Sequence, residues 1–112
     1  MASGAGTAVA LYTHIAYTDG MFEWDEAKRQ RCIGDRSADF LDAVRLFDGR
    51  PVVSVAAKTE TEARILTTGL LEDGKFYTVV WTWRGEARRI ISFRRARDAE
   101  ERRHHADHPP HG

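Results

Sequence analysis

The second half of this sequence contains four successive runs typical of β-strands, and short glycine-containing loops join the last three. The loops at 72–74 (Glu-Asp-Gly) and 84–86 (Arg-Gly-Glu) have the length and composition of hairpin loops. Strands joined by so few residues run antiparallel, because a parallel connection needs a dozen residues or more. The sequence therefore predicts an antiparallel four-stranded sheet from residues 52–56, 63–71, 75–83 and 87–93.

The first half predicts a short strand and two helices. Phe22 and Trp24 alternate with Glu23, as in a half-buried strand. Asp25 is placed to cap a helix over residues 25–33 that ends at Gly34, and a second helix is expected over residues 38–47. With a last helix at 98–105, these elements predict an α+β fold with two helices on one face of the sheet and a short C-terminal helix. The expected core residues are Phe22, Trp24, Phe40, Val44, Phe47, Val79 and Trp81.

A chain of 112 residues has room for one domain. We expect a partly disordered N-terminal extension at 1–20, with residues 1–6 flexible and an edge strand at 11–18. The domain itself is expected at 21–105, followed by a disordered tail at 106–112 that contains Pro109-Pro110. No apolar run approaches the ~20 residues that span a bilayer, so we expect no membrane contact. The single cysteine and the lack of a signal-peptide pattern predict a cytoplasmic protein.

The charges balance over the whole chain but not along it. Lys and Arg number 17, as do Asp and Glu. Residues 84–112 hold eight arginines against five acidic residues, a balance of +3, which leaves −3 for residues 1–83. Arginine suits bidentate contact with phosphate, so this asymmetry indicates a polyanionic partner such as RNA. The alternative is that the arginines only keep a strand and a helix soluble.

Four blocks of sequence carry a resemblance to a known family. They are MFEWDEAK at 21–28, DF, AV and FD within 39–48, EARI and GL within 62–70, and RIISFRRA at 89–96. Together they cover roughly residues 21–104. The chain resembles the BrnT-type toxins, which are the ribonuclease partners in bacterial type II toxin–antitoxin pairs.

The resemblance implies a fold similar to the RelE family of ribonucleases. It also implies a metal-independent endoribonuclease that cleaves RNA, inhibits translation and growth, and needs no cofactor. The implied partners are RNA and a cognate BrnA-type antitoxin, similar to ribbon-helix-helix DNA-binding proteins. Such an antitoxin would cover the active face and form a hetero-oligomer with the toxin.

Cleavage of RNA without a metal needs a base for the 2′-hydroxyl, an acid for the leaving 5′-oxygen and cations for the phosphate. The resemblance assigns the phosphate to arginines of the matching blocks, with further arginines binding RNA nearby. The alternative is that these side chains are solvated or form ion pairs with Glu62 or Glu86. The expected catalytic arginines are Arg64, Arg89 and Arg94, and the expected RNA-binding ones are Arg36, Arg88 and Arg95.

The segment between the two helices departs from the family pattern. Where relatives carry Asn and then Lys-His-Gly, this chain has Cys32 and then Asp35-Arg36-Ser37. His104, where relatives commonly have Tyr, is the remaining imidazole for acid–base chemistry. The alternative is that His104 only begins a histidine-rich tail. Cys32 is expected to be a buried structural thiol, and no metal site is expected, since His105, His108 and His111 lie in that tail.

The altered segment leaves a second function open. The chain could be a catalytically silent protein that binds RNA or the antitoxin on the same fold, and a structural component of another complex is a third alternative. Trp81 and Trp83 share a strand with Tyr77 and Val79 and could stack on bases. Packing in the core is favoured for both, because that stripe is the most apolar of the chain.

Overall fold

The computed structural model of the chain describes residues 13–18, 20–58 and 62–109. Within these residues, six strands form one mixed sheet, accompanied by three α-helices and a 3₁₀ turn at Arg45–Phe47. None of the helices described is long and apolar enough to cross a membrane. Most of the predicted flexible extension and the end of the predicted tail lie outside the described residues. The elements are β1 (Thr13–Thr18), β2 (Gly20–Asp25), α1 (Glu26–Arg36), α2 (Phe40–Val44), β3 (Val52–Lys58), β4 (Ala63–Leu70), β5 (Phe76–Arg84), β6 (Ala87–Arg95) and α3 (Asp98–Asp107).

The sheet has the strand order β1-β2-β6-β5-β4-β3. The meander from β3 to β6 is antiparallel, and β1 pairs antiparallel with β2. β2, however, runs parallel to β6, with Met21 opposite Ala87 and Trp24 opposite Ile90. The prediction of a four-stranded, wholly antiparallel sheet is therefore wrong. Two helices and three strands separate β2 from β6 along the chain, so no short loop determined their relative direction.

The main core lies on one face of the sheet, called here the core face. It is built from the alternating residues of β2, β5 and β6, with α1 and α2 packed against them. Phe22, Phe40 and Phe93 are almost completely buried, and burial of such side chains contributes about 1.5–3 kcal/mol each. All seven predicted core residues take part: six are buried, and Phe47 packs at the margin with its ring edge against Trp81.

Helix α1 begins where the sequence predicts and ends later. The Asp25 carboxylate accepts hydrogen bonds from the backbone N–H groups of Ala27 and Lys28, at 2.9 and 3.4 Å. The predicted end at Gly34 is wrong, because the helix continues to Arg36. Ser37 ends it in the left-handed conformation, with φ of 53° and its N–H bonded to the Ile33 carbonyl. Ser37 thus occupies the position that glycine usually takes.

Helix α3 packs on the opposite face, called here the α3 face. Register pairs place Thr68, Thr78 and Arg94 in one row on that face, and Glu100 of α3 bonds to the last two. The prediction that helices cover only one face is therefore wrong. Apolar side chains of β3 and β4 also point to this face, and α3 covers them. The helix reaches Asp107, beyond the predicted end at 105, and the imidazole of His108 donates to the Val52 carbonyl at 2.9 Å.

Candidate functional site

Two of the predicted catalytic arginines lie in one row across the α3 face. Arg89 of β6 is paired in register with Thr82 of β5, and the Thr82 hydroxyl donates to the carbonyl of Ala63, next to Arg64 on β4. Two strand spacings separate β4 from β6, which puts the backbones of Arg64 and Arg89 roughly 10 Å apart. This set, Arg64, Thr82 and Arg89, is called here the arginine row.

Each arginine of the row contacts a carboxylate. Arg64 Nη2 lies 3.3 Å from Glu62 Oε2, and Arg89 Nη1 lies 3.5 Å from Glu23 Oε2. The arginine side chains are 35% and 21% exposed, so solvent still reaches both. Guanidinium groups stabilise developing phosphate charge, and carboxylates can accept a proton. The row and the two glutamates beside it therefore bring together guanidinium groups for the phosphate and carboxylates that can take part in proton transfer.

Sequence reasoning considered Glu62 only as an ion-pair partner and overlooked Glu23. The signal for Glu23 was present, since it alternates with the core residues Phe22 and Trp24 and must point away from the core. Its position opposite Arg89 depends on the parallel pairing of β2 with β6. That pairing joins distant segments and was not predictable from local pattern.

The third predicted catalytic arginine, Arg94, anchors α3 to the sheet. Its guanidinium donates two hydrogen bonds to Glu100, at 2.8 and 2.9 Å. The same carboxylate accepts hydrogen bonds from the Thr78 hydroxyl at 3.0 Å and from the Arg97 N–H at 2.7 Å. These contacts lower the pKa of Glu100 to about 2, and the hydrogen bonds from Arg94 are the largest cause. A bidentate pair of this kind leaves Arg94 poorly placed to hold a phosphate.

His104 is buried on the side of α3 that faces the sheet, at the far end of the sheet from the arginine row. Its Nε2 donates to the Pro51 carbonyl at 3.2 Å, and its ring contacts Phe76 and His108, each at 4.9 Å between centroids. Phe76 and Thr82 are six residues apart on β5, which corresponds to roughly 20 Å. The structure therefore does not bring His104 together with Arg64 and Arg89.

The three predicted RNA-binding arginines are dispersed. Arg36 is exposed at the end of α1, beside a cavity of about 230 Å³ between that helix and β6. Arg88 lies on the core face, with its guanidinium carbon 4.8 Å from the ring centroid of Phe47. Arg95 is exposed, 5.7 Å from the ring centroid of Tyr77. Consecutive strand residues point to opposite faces, so the arginine cluster at 88–97 is divided between the two sides of the sheet.

Cys32 is a buried structural thiol, which confirms that prediction. Its Sγ donates to the Phe93 carbonyl at 2.9 Å, and burial raises the pKa of the thiol. Within the described part of the chain, no group of three or more His, Cys, Asp or Glu residues is arranged to hold a metal ion. Trp81 is buried as predicted, whereas the prediction for Trp83 is wrong, because 52% of that residue is exposed.

Comparison with known proteins identifies the class as the toxin of a type II toxin–antitoxin system. The matching family model is described as "Ribonuclease toxin, BrnT, of type II toxin-antitoxin system", and it matches residues 24–100. The chain belongs to the BrnT family. Membership of a toxin–antitoxin family implies an antitoxin partner.

A solved structure agrees with this assignment. The chain is similar to the ribonuclease toxin BrnT of Brucella abortus, whose crystal structure was determined at 1.1 Å resolution. The two are 27% identical, with a TM-score of 0.51, and the match covers 67% of this chain and 94% of the other. No curated protein matches this chain.

Proposed function

We propose that this chain is an endoribonuclease toxin that cleaves RNA and arrests growth, and that the arginine row holds the scissile phosphate. The observation that supports this best is the pairing of Arg64 and Arg89 with carboxylates in one row, at 3.3 and 3.5 Å. The row lies at the opposite end of β5 from the residues that contact His104. Because its substrate is cellular RNA, we place its action in the cytoplasm.

The proposed reaction uses the 2′-hydroxyl of the substrate as the nucleophile. Glu62, whose side chain is 31% exposed beside Arg64, accepts the 2′-hydroxyl proton while the 2′-oxygen attacks phosphorus. The bond from phosphorus to the 5′-oxygen breaks, and the protonated Glu62 returns the proton to that leaving oxygen. Arg64 and Arg89 stabilise the charge on the phosphate as it develops. The products are a 2′,3′-cyclic phosphate and a free 5′-hydroxyl.

His104 has no part in this proposed centre. Its ring is buried, and roughly 20 Å of strand separates its contacts from the arginine row. The histidine remains a proposed proton shuttle only if α3 moves away from the sheet. The bond between Glu100 and Arg94 opposes such a movement.

We propose that the antitoxin is a ribbon-helix-helix protein of the BrnA type and that it covers the arginine row. Acidic side chains of the antitoxin would form further ion pairs with Arg64 and Arg89, in addition to those with Glu62 and Glu23. Blocking the same cations that hold the phosphate would explain how the antitoxin prevents cleavage.

A second function is favoured by two observations. The family Lys-His-Gly is replaced by Asp35-Arg36-Ser37, and the one histidine proposed to compensate is buried. A chain that binds RNA or the antitoxin without cutting is consistent with both facts.

Induced expression in bacteria, with and without the neighbouring gene, separates the two functions. The wild-type chain should arrest growth, and the neighbouring gene should relieve the arrest. The Arg64→Gln/Arg89→Gln double variant should not arrest growth. Arg102→Gln, which removes an exposed arginine from α3, is the matched control and should remain toxic. Growth that continues with the wild-type chain at full expression would favour the silent binding protein.

A further inference from the structure

Trp83 is the largest exposed apolar side chain among the described residues. It is 52% exposed at the end of β5, two residues before the Gly85-Glu86 turn. Trp24 and Trp81, by contrast, are 3% and 5% exposed. Single apolar side chains are ordinary on protein surfaces, so it is the surroundings of this ring that indicate a binding role.

The ring of Trp83 is held in place from one side. It packs edge-to-face with Trp81, with centroids 5.1 Å apart and planes at 79°. The guanidinium of Arg88, its register partner on β6, lies 5.0 Å from its ring centroid. The same guanidinium lies 5.5 Å from the ring of Phe22, which is buried in the core. A flat ring fixed in this way, with half its surface in solvent, is a platform for stacking.

The charges around Trp83 favour a polyanionic partner that carries flat rings. Arg84 and Arg88 are its immediate neighbours in sequence and in register, and Arg89 of the arginine row follows directly. Glu86 in the turn is exposed. Nucleobases stack on aromatic side chains while arginines contact the backbone, which is how proteins bind single-stranded nucleic acid.

We propose that Trp83 stacks on a base of single-stranded RNA and positions the strand whose phosphates the arginine row holds. This inference rests on the proposed function. Thr82 and Trp83 are adjacent on β5 and pair with Arg89 and Arg88, so the stacking platform and the row meet at the same end of the sheet. An RNA strand that crosses this end of the sheet contacts the arginine row on the α3 face and Trp83 on the core face.

Binding of a short 2′-O-methyl oligoadenylate tests the proposal, because this probe lacks the 2′-hydroxyl and cannot be cut. Stacking contributes about 1–3 kcal/mol per base, so Trp83→Ala should weaken binding about 5- to 150-fold. The slope of affinity against salt should stay unchanged, since a stacking residue neutralises no phosphate. Trp83→Phe should restore most of the affinity. Leu41→Ala, which removes another exposed apolar side chain, is the matched control and should bind like the wild type.

Inorganic polyphosphate separates stacking from charge. The Trp83→Ala variant should bind polyphosphate as the wild type does, because that probe has no bases. The proposal is overturned if the wild type fails to bind the oligonucleotide, or if Trp83→Ala binds it unchanged. It is also overturned if the Trp83→Ala variant loses affinity for the oligonucleotide and for polyphosphate by the same factor. Loss of antitoxin binding alone, with unchanged affinity for the oligonucleotide, would overturn it as well. Cleavage of unmodified RNA is measured separately, so a chain that binds through Trp83 without cutting contradicts the proposed function and not this inference.

Discussion

Glu100 fastens α3 to the sheet, and replacing it with glutamine should destabilise the fold in a pH-dependent manner. Its carboxylate accepts hydrogen bonds from Arg94, Thr78 and the backbone of Arg97, at 2.7–3.0 Å. The side chain is 18% exposed, so water screens these contacts only weakly. The guanidinium of Arg94 is the largest cause of the lowered pKa, which is about 2 instead of 4.5.

The sign and size of the effect follow from that pKa. A carboxyl whose pKa is lower in the folded chain contributes stability that is complete above the unfolded pKa and is lost as the pH falls toward the folded one. One pKa unit corresponds to about 1.36 kcal/mol, so the ionised Glu100 contributes about 3 kcal/mol at pH 7. The same relation gives about 1.4 kcal/mol at pH 3, where the unfolded group is mostly protonated.

Urea unfolding from pH 7 to pH 3, followed by circular dichroism, measures this contribution. The free energy of unfolding of Glu100→Gln should be lower than that of the wild type by about 3 kcal/mol at pH 7, and the gap should close by about half at pH 3. Glu101→Gln, which removes the same charge one residue along α3, is the control and should change stability by less than about 0.5 kcal/mol. A gap for Glu100→Gln that stays constant with pH would refute the reasoning.

Three further predictions concern the fold. Ser37→Gly should raise the free energy of unfolding by about 1 kcal/mol in urea titration, because glycine adopts the positive φ without strain, whereas Ser37→Ala should not. Gly69→Ala should lower it by about 1–3 kcal/mol, since the new methyl group would lie 2.8 Å from Leu46 in the core. In Gly34→Ala the new methyl group meets no atom within 4 Å, so the free energy of unfolding should instead rise by up to about 1 kcal/mol. A change of the same sign in both glycine variants would show that the contact with Leu46 does not decide the outcome. Iodoacetamide should alkylate Cys32 only after unfolding, and a folded chain that reacts as fast as the unfolded one would show that the thiol is not buried.

The features of the fold that local chemistry determines were predictable from the sequence. The glycines at 74 and 85 adopt positive φ in the two hairpin turns, as the loop lengths required, and Asp25 caps α1. The parallel pairing of β2 with β6 was not predictable, because it joins segments separated by most of the domain. The placement of α3 depends on a bond between Arg94 and Glu100, which no periodicity in α3 indicates.

The candidate site was predictable in its residue types and only partly in its geometry. Arg64 and Arg89 lie in one row, but the facing of β6 was ambiguous from its run of Ile90 and Ile91. A register shift opposite Val80/Trp81 explains the ambiguity, since it puts both Ile90 and Phe93 on the core face. The burial of His104 depends on how α3 packs, and its sequence neighbours carry no signal of it.

Cleavage of single-stranded RNA by the purified chain tests the central claim most directly. The wild-type chain, without added metal, should generate fragments ending in a 2′,3′-cyclic phosphate. Arg64→Gln/Arg89→Gln should generate none, and Glu62→Gln should bind RNA at least as well as the wild type while cutting it 10²- to 10⁴-fold more slowly, the range typical of loss of a general base. RNA that stays intact with a wild-type chain able to bind its antitoxin would contradict the claim and identify a silent binding protein on the BrnT fold.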